Sequence, residues 1–140
     1  MRIRNANIYT EEHRFVRGDA AVENGRFVSC TGEPAGEEAV VDAEGMYLIP
    51  GLVDIHFHGC KGADMCDGTK EALDVITSYE ASVGVTSVCP ATMTIPKDEL
   101  LEVMKNAGSY EYSGGSHLVG INMEGPFISP AKKGAQAAEN

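Results

Sequence analysis

Apolar and polar residues alternate from Ile49 to Cys60 (Ile-Pro-Gly-Leu-Val-Asp-Ile-His-Phe-His-Gly-Cys), which predicts a strand carrying Asp54, His56 and His58 on one side. Residues two apart on a strand lie roughly 6.5–7 Å apart along the chain, so two imidazoles there can converge on one divalent ion if that side lines a cavity. The same pattern also fits a strand with two incidental histidines, and the spacing by itself does not choose between them. Beyond it the period changes. Gly59 to Gly68 reads as a loop, and Ala72, Leu73, Ile76, Tyr79 and Val83 recur at helical spacing behind a cap at Asp67 or Thr69, with Gly84 as the stop. Val85 to Ala91 predicts a second strand. A second helix follows, with Pro96 in its first turn, apolar Leu100, Leu101, Met104 and Ala107, and Gly108 at its end. Gly114–Gly115 belongs to a loop, and Leu118 to Glu124 predicts a third strand.

Strand, helix, strand, helix, strand is the order of parallel β/α units, so the fold class is α/β. On the third strand Gly120, Asn122 and Glu124 face one way, which puts Glu124 at the carboxyl end of its strand, as His58 ends the first. Active sites of β/α barrels are built at that end. Two imidazoles and a carboxylate meeting there form a hydrolytic metal site, whereas a strand-terminal glutamate facing solvent is the plainer alternative. Asp54 shares the inward side but lies deeper and takes no role. His117 begins its strand, at the opposite end of the sheet, and reads as structural.

Met1 to Tyr47 reads as short strands: Ile3–Tyr9, Ala20–Val22, Arg26–Cys30, Val40–Asp42 and Met46–Ile49. Asn24-Gly25 marks a hairpin turn, and Thr31–Glu38 a loop. The expected organisation is a partial β-sandwich over residues 1–49 and the first β/α units over residues 50–140. His13, among charged neighbours, reads as a surface residue.

Composition narrows the partners. The chain has 140 residues, 43% of them hydrophobic, with no Trp and no run long enough to cross a bilayer. A formal charge of −10 argues against nucleic acid or an anionic membrane as partner, yet two or three local cations suffice for one phosphate. No secretory signal opens the sequence, so a cytoplasmic location is expected. The four cysteines (Cys30, Cys60, Cys66 and Cys89) show no Cys-x-x-Cys spacing, and free thiols in a reducing compartment are expected.

Pro50 to Gly59 resembles the opening barrel strand of the amidohydrolase superfamily, a motif that many of its members share. Met123-Glu124-Gly125-Pro126-Phe127-Ile128, then Lys133-Gly134-Ala135-Gln136, is similar to one narrower branch, the N-acetylglucosamine-6-phosphate deacetylases. Gly84 to Ser87, leading to Pro90-Ala91-Thr92, resembles that branch's second strand, so the likeness runs over essentially the whole chain.

The resemblance implies an eight-stranded barrel with a β-sandwich assembled from both ends of a longer chain. Such a barrel takes about 250 residues, so the sequence is expected to be the N-terminal part, holding the first three barrel strands. It further implies that His56, His58 and Glu124 are metal ligands, for one or two ions of zinc, iron, cobalt or nickel. Ala135 and Gln136 match a substrate-contacting segment, Gln136 being His in some relatives. A catalytic aspartate, further metal-binding histidines and phosphate-binding groups are expected beyond Asn140. The implied reaction is hydrolysis of N-acetyl-D-glucosamine 6-phosphate to glucosamine 6-phosphate and acetate, in a homodimer acting on a small phosphorylated amino sugar. Alternatives are another amidohydrolase acting on a related amino-sugar phosphate or a cyclic amide, and a non-catalytic truncated product.

Overall fold

The structure, a computed structural model, describes residues 1–28, 39–111 and 114–140. The predicted loop Thr31–Glu38 and the thiol of Cys30 lie outside the described residues. The chain divides into two compact units, Met1–Pro50 and Gly51–Asn140.

The first unit is one sheet of five strands: β1 (Arg2–Tyr9), β2 (Phe15–Glu23), β3 (Arg26–Val28), β4 (Val40–Asp42) and β5 (Tyr47–Leu48). β1 pairs antiparallel with β2 and parallel with both β4 and β5. Asn24 and Gly25 turn the β2–β3 hairpin with φ of 50° and 73°, the left-handed pair that a two-residue hairpin requires. β1 carries one extra residue between Ile3 and Ala6 relative to β2. There Asn5 takes φ 62°, its backbone N–H donates to Asp19 Oδ1 at 3.0 Å and its side-chain amide donates to Asp42 Oδ1 at 3.0 Å. Its buried apolar residues are Ala6, Ala21 and Ala43, while Phe27, Val40, Val41, Met46 and Tyr47 are exposed.

In the second unit, β6 (Leu52–Asp54), β9 (Val85–Val88) and β10 (His117–Leu118) form a parallel sheet in that order. α1 (Lys70–Ser82) and α2 (Lys97–Gly108) make the crossovers, as the alternating periods predict. The predicted loop after His58 is more ordered than a run of glycines and aspartates indicates. Gly59–Cys60 (β7) and Ala63–Asp64 (β8) form a hairpin around Lys61 and Gly62, both at positive φ, and Met65–Asp67 makes a 3-10 turn. Thr69 caps α1 by accepting from the Ala72 N–H at 3.2 Å, while Asp67 accepts from the Asp64 N–H at 2.9 Å. Met65, Leu73, Val103 and Ala107 form the core cluster, with Ile95, Tyr110, Leu118 and Ile121 packed on it. Leu100, Val103 and Ala107 make the buried seam of α2, which leaves Leu101 exposed; Val83 is exposed because α1 ends at Ser82.

The strands are shorter than the alternation predicts, for identifiable reasons. Asp54 Oδ1 accepts from the His56 N–H at 3.0 Å, a local turn that bends the chain out of β6. Pro90 has no N–H to return to the third strand. Val119 donates to the Val88 carbonyl at 3.0 Å, but the next bond to Pro90 comes from Asn122 at 2.9 Å rather than from Ile121, as regular pairing would have it. The strand slips by one residue and re-engages at the Ala91–Asn122 bridge.

Candidate metal centre

The turn at Asp54 places His56 and His58 just past the carboxyl end of β6. Their rings stand 5.5 Å apart and nearly perpendicular, at 86°. His58 Nδ1 lies 3.1 Å from the Ala91 carbonyl, tying it to the segment after β9, and His56 Nδ1 lies 3.0 Å from the Asn122 amide nitrogen. Glu124 arrives two residues beyond Asn122, its backbone N–H donating to Thr92 Oγ1 at 3.2 Å and its carbonyl within 3.5 Å of Thr94 Oγ1. Gly125 follows at φ 81°, where an added Cβ would collide with Thr94. The chain can therefore lie against Thr94 only with glycine at this position.

These elements bring three ligand atoms together. Glu124 Oε2 lies 3.6 Å from His56 Nε2 and 3.5 Å from His58 Nε2, and one ligand atom from each residue falls within 4.8 Å of the others. The Oε2 separations are too long for hydrogen bonds. They match a shared ion instead: donors 2.0–2.1 Å from a tetrahedral centre stand about 3.3–3.4 Å from one another. Glu124 Oε2 is moreover buried with no hydrogen-bond partner. A buried, unpartnered carboxylate oxygen between two imidazole nitrogens fits a divalent cation, which would satisfy all three at once.

The nearby thiols do not join the group. Burial pushes Cys60 and Cys66 upward, Cys60 also through the charge of Glu80, and so favours the protonated form of each. Cys66 Sγ instead accepts from the Met93 N–H at 3.2 Å. Cys60, Cys66 and Cys89 are all free thiols. On α1 the buried carboxyl of Glu80 is raised by desolvation first and then by Asp54.

Of the substrate-segment residues, Ala135 is exposed and Gln136 is buried. Gln136 Oε1 accepts from the Thr94 N–H at 2.8 Å, and its backbone carbonyl accepts from Lys133 Nζ at 2.8 Å. Gln136 thus braces Thr94, the residue against which Glu124 and Gly125 rest, and is not one of the three convergent side chains. Sequence reasoning gave no role to Asp54 or Asn122. An acidic residue two before His56 is the signal for the first, and the side-chain partner of His56 became visible only in the fold.

No protein-family model matches the chain. The N-acetylglucosamine-6-phosphate deacetylase of Bacillus subtilis is 32% identical over 98% of this chain and 37% of that protein. An N-acetylgalactosamine-6-phosphate deacetylase of Escherichia coli O157:H7 is 31% identical over 72% of this chain and 27% of that protein. The crystal structure of the Thermotoga maritima N-acetylglucosamine-6-phosphate deacetylase superposes with a TM-score of 0.78 at 28% identity, covering 99% of this chain and 36% of that one. The proteins matched are hydrolases of the amidohydrolase superfamily. Within that superfamily the chain belongs with the N-acetylglucosamine-6-phosphate deacetylases, to whose N-terminal part it is homologous. It spans 37% of the length of the Bacillus subtilis relative.

Proposed function

We propose that this chain contributes the first metal ligands of a deacetylase that hydrolyses N-acetyl-D-glucosamine 6-phosphate to glucosamine 6-phosphate and acetate. The observation that carries the reading is the buried, unpartnered Glu124 Oε2 between His56 Nε2 and His58 Nε2. His56, His58 and Glu124 would hold a divalent ion, and zinc, iron, cobalt and nickel all suit that donor set. When bound, such an ion supplies a Lewis acid that polarises the amide carbonyl and lowers the pKa of water towards about 7. The chain's own residues set the geometry. Asp54 bends the backbone to aim His56, the Ala91 carbonyl orients His58, and Thr92 and Thr94 hold the backbone of Glu124. Ala135 and Gln136 would belong to the segment that contacts the sugar, with Gln136 Oε1 accepting from the Thr94 N–H.

In this reading β6, β9 and β10 are the first strands of an eight-stranded barrel, and the sheet of the first unit is part of a β-sandwich. Leu52, Val53, Ile55, Val119 and Met123 support it, because they are exposed here and a parallel sheet in a finished α/β fold has both faces covered. The catalytic acid–base group and the phosphate-binding groups would come from later strands, and the isolated 140 residues would be inactive. The full-length enzyme would act as a homodimer. The enzyme would be cytoplasmic; no helix among the described residues is long and apolar enough to cross a membrane. A second reading, the galactosamine isomer as substrate, is favoured by the relative that bears that name.

The test uses the full-length enzyme. His56→Ala and Glu124→Gln are expected to reduce bound metal and turnover of N-acetyl-D-glucosamine 6-phosphate together. Unchanged metal content and turnover in both variants would sink the reading.

A further inference from the structure

The two imidazoles of the centre are held by partners of opposite kind, and an inference follows that rests on the metal reading above. His58 presents Nδ1 to the Ala91 carbonyl at 3.1 Å. A carbonyl oxygen only accepts, so Nδ1 carries the proton and Nε2, facing Glu124, keeps its lone pair. That is the tautomer a metal-ligating histidine needs at Nε2.

His56 is held the other way. Its Nδ1 stands 3.0 Å from Asn122 Nδ2, and the same Nδ2 stands 3.0 Å from the Ile55 carbonyl. Because the Ile55 oxygen can only accept, the group facing it is the amide NH2, and this fixes the orientation of Asn122. The NH2 has two hydrogens, one for the Ile55 carbonyl and one for His56 Nδ1. His56 Nδ1 is therefore an acceptor. In the neutral ring the proton then sits on Nε2, the atom 3.6 Å from Glu124 Oε2. An Nε2 that carries a proton has no lone pair to give an ion.

We propose that Asn122 is a positioning residue that sets the His56 tautomer and holds this imidazole out of ligation while the centre is metal-free. His58 and Glu124 then take an ion first, and His56 joins only when the Asn122 amide turns over. In that step a proton leaves His56 Nε2 for solvent and another reaches Nδ1 from solvent, so the net charge of the ring is unchanged. The His56 side chain is 55% exposed, which gives water the access this exchange needs. The turned amide would accept from Nδ1–H through Oδ1, but it would set Oδ1 against the Ile55 carbonyl. That opposition keeps Asn122 in its metal-free orientation. Partners of ligating histidines shift metal affinity by about 10- to 100-fold when removed, usually by weakening it. Here removing the Asn122 amide is expected to strengthen it.

Long-range proton–nitrogen NMR of the 15N-labelled, metal-free chain tests this, with His56→Gln and His58→Gln identifying the signals. The expected spectrum has protonated Nδ1 in His58 and protonated Nε2 in His56. Protonated Nδ1 in both rings overturns the proposal, whatever zinc then does. Chelator competition with zinc is the second readout. Asn122→Leu removes the competing donor without adding charge, and is expected to bind zinc about tenfold more tightly and to lose the Nε2–H preference of His56. Weaker zinc binding by a folded Asn122→Leu chain would also overturn it. The metal-free spectrum separates this inference from the metal reading, which fails instead if zinc does not bind the unaltered chain.

Discussion

Glu124→Gln separates a metal ligand from an ordinary surface carboxylate, because the two predict opposite changes in the metal-free chain. The side chain is only 35% exposed and Oε2 has no hydrogen-bond partner. An unsatisfied buried polar group costs about 1–3 kcal/mol. The partial exposure places Glu124 near the lower end, so the neutral amide is expected to raise metal-free stability by about 1 kcal/mol. The same substitution replaces an anionic oxygen that completes the His56–His58 pair and should weaken zinc binding at least 100-fold, at or beyond the loss seen when only a ligand's partner is removed. Urea unfolding followed by circular dichroism, with and without zinc, measures both effects. At free zinc of 100 times its dissociation constant, the unaltered chain should gain about 2.7 kcal/mol. At that same zinc concentration Glu124→Gln should gain about 0.4 kcal/mol or less. An equal zinc response in the two chains, or a loss of metal-free stability in the variant, would refute the reasoning.

Three further outcomes follow from the surroundings of the centre. Gly125→Ala places a Cβ at φ 81° and against Thr94. It should cost about 1–3 kcal/mol in urea unfolding and loosen zinc binding, since Glu124 is the preceding residue. Gln136→Ala leaves the buried Thr94 N–H without its acceptor and should cost about 1–3 kcal/mol by the same measurement. Glu80 sets a pH dependence. Burial, then Asp54, raises its folded carboxyl above the ordinary glutamate value of about 4.3. The unfolded chain therefore gives up this proton first, and stability falls as pH rises from that value to the raised folded one. Glu80→Gln should accordingly be more stable than the unaltered chain at pH 7 and gain nothing at pH 4. The difference between their urea midpoints at the two pH values checks it.

The sequence made the alternation of strand and helix legible, since the change in period at Gly59 and again at Gly84 marks the β/α order found in the second unit. It also selected the three side chains that the fold brings within 4.8 Å. What it could not carry were effects of single atoms. The turn made by Asp54 Oδ1 ends β6 before its histidines, although the apolar–polar alternation continues to His58. Pro90, by lacking one N–H, shifts the third strand by a residue, which hydrophobic periodicity does not register. The inward turn of Gln136 depends on a Thr94 N–H far away in sequence. Both tautomer-setting contacts, Ala91 to His58 and Asn122 to His56, likewise join segments distant along the chain.

The most direct test of the centre is a cobalt(II) titration of the 140-residue chain, followed by visible absorption beside the His56→Ala, His58→Ala and Glu124→Gln variants. The account predicts ligand-field bands that saturate with bound cobalt in the unaltered chain and are lost or strongly weakened when His58 or Glu124 is replaced. Bands of equal strength and affinity in all the variants, or none in the unaltered chain, would contradict it.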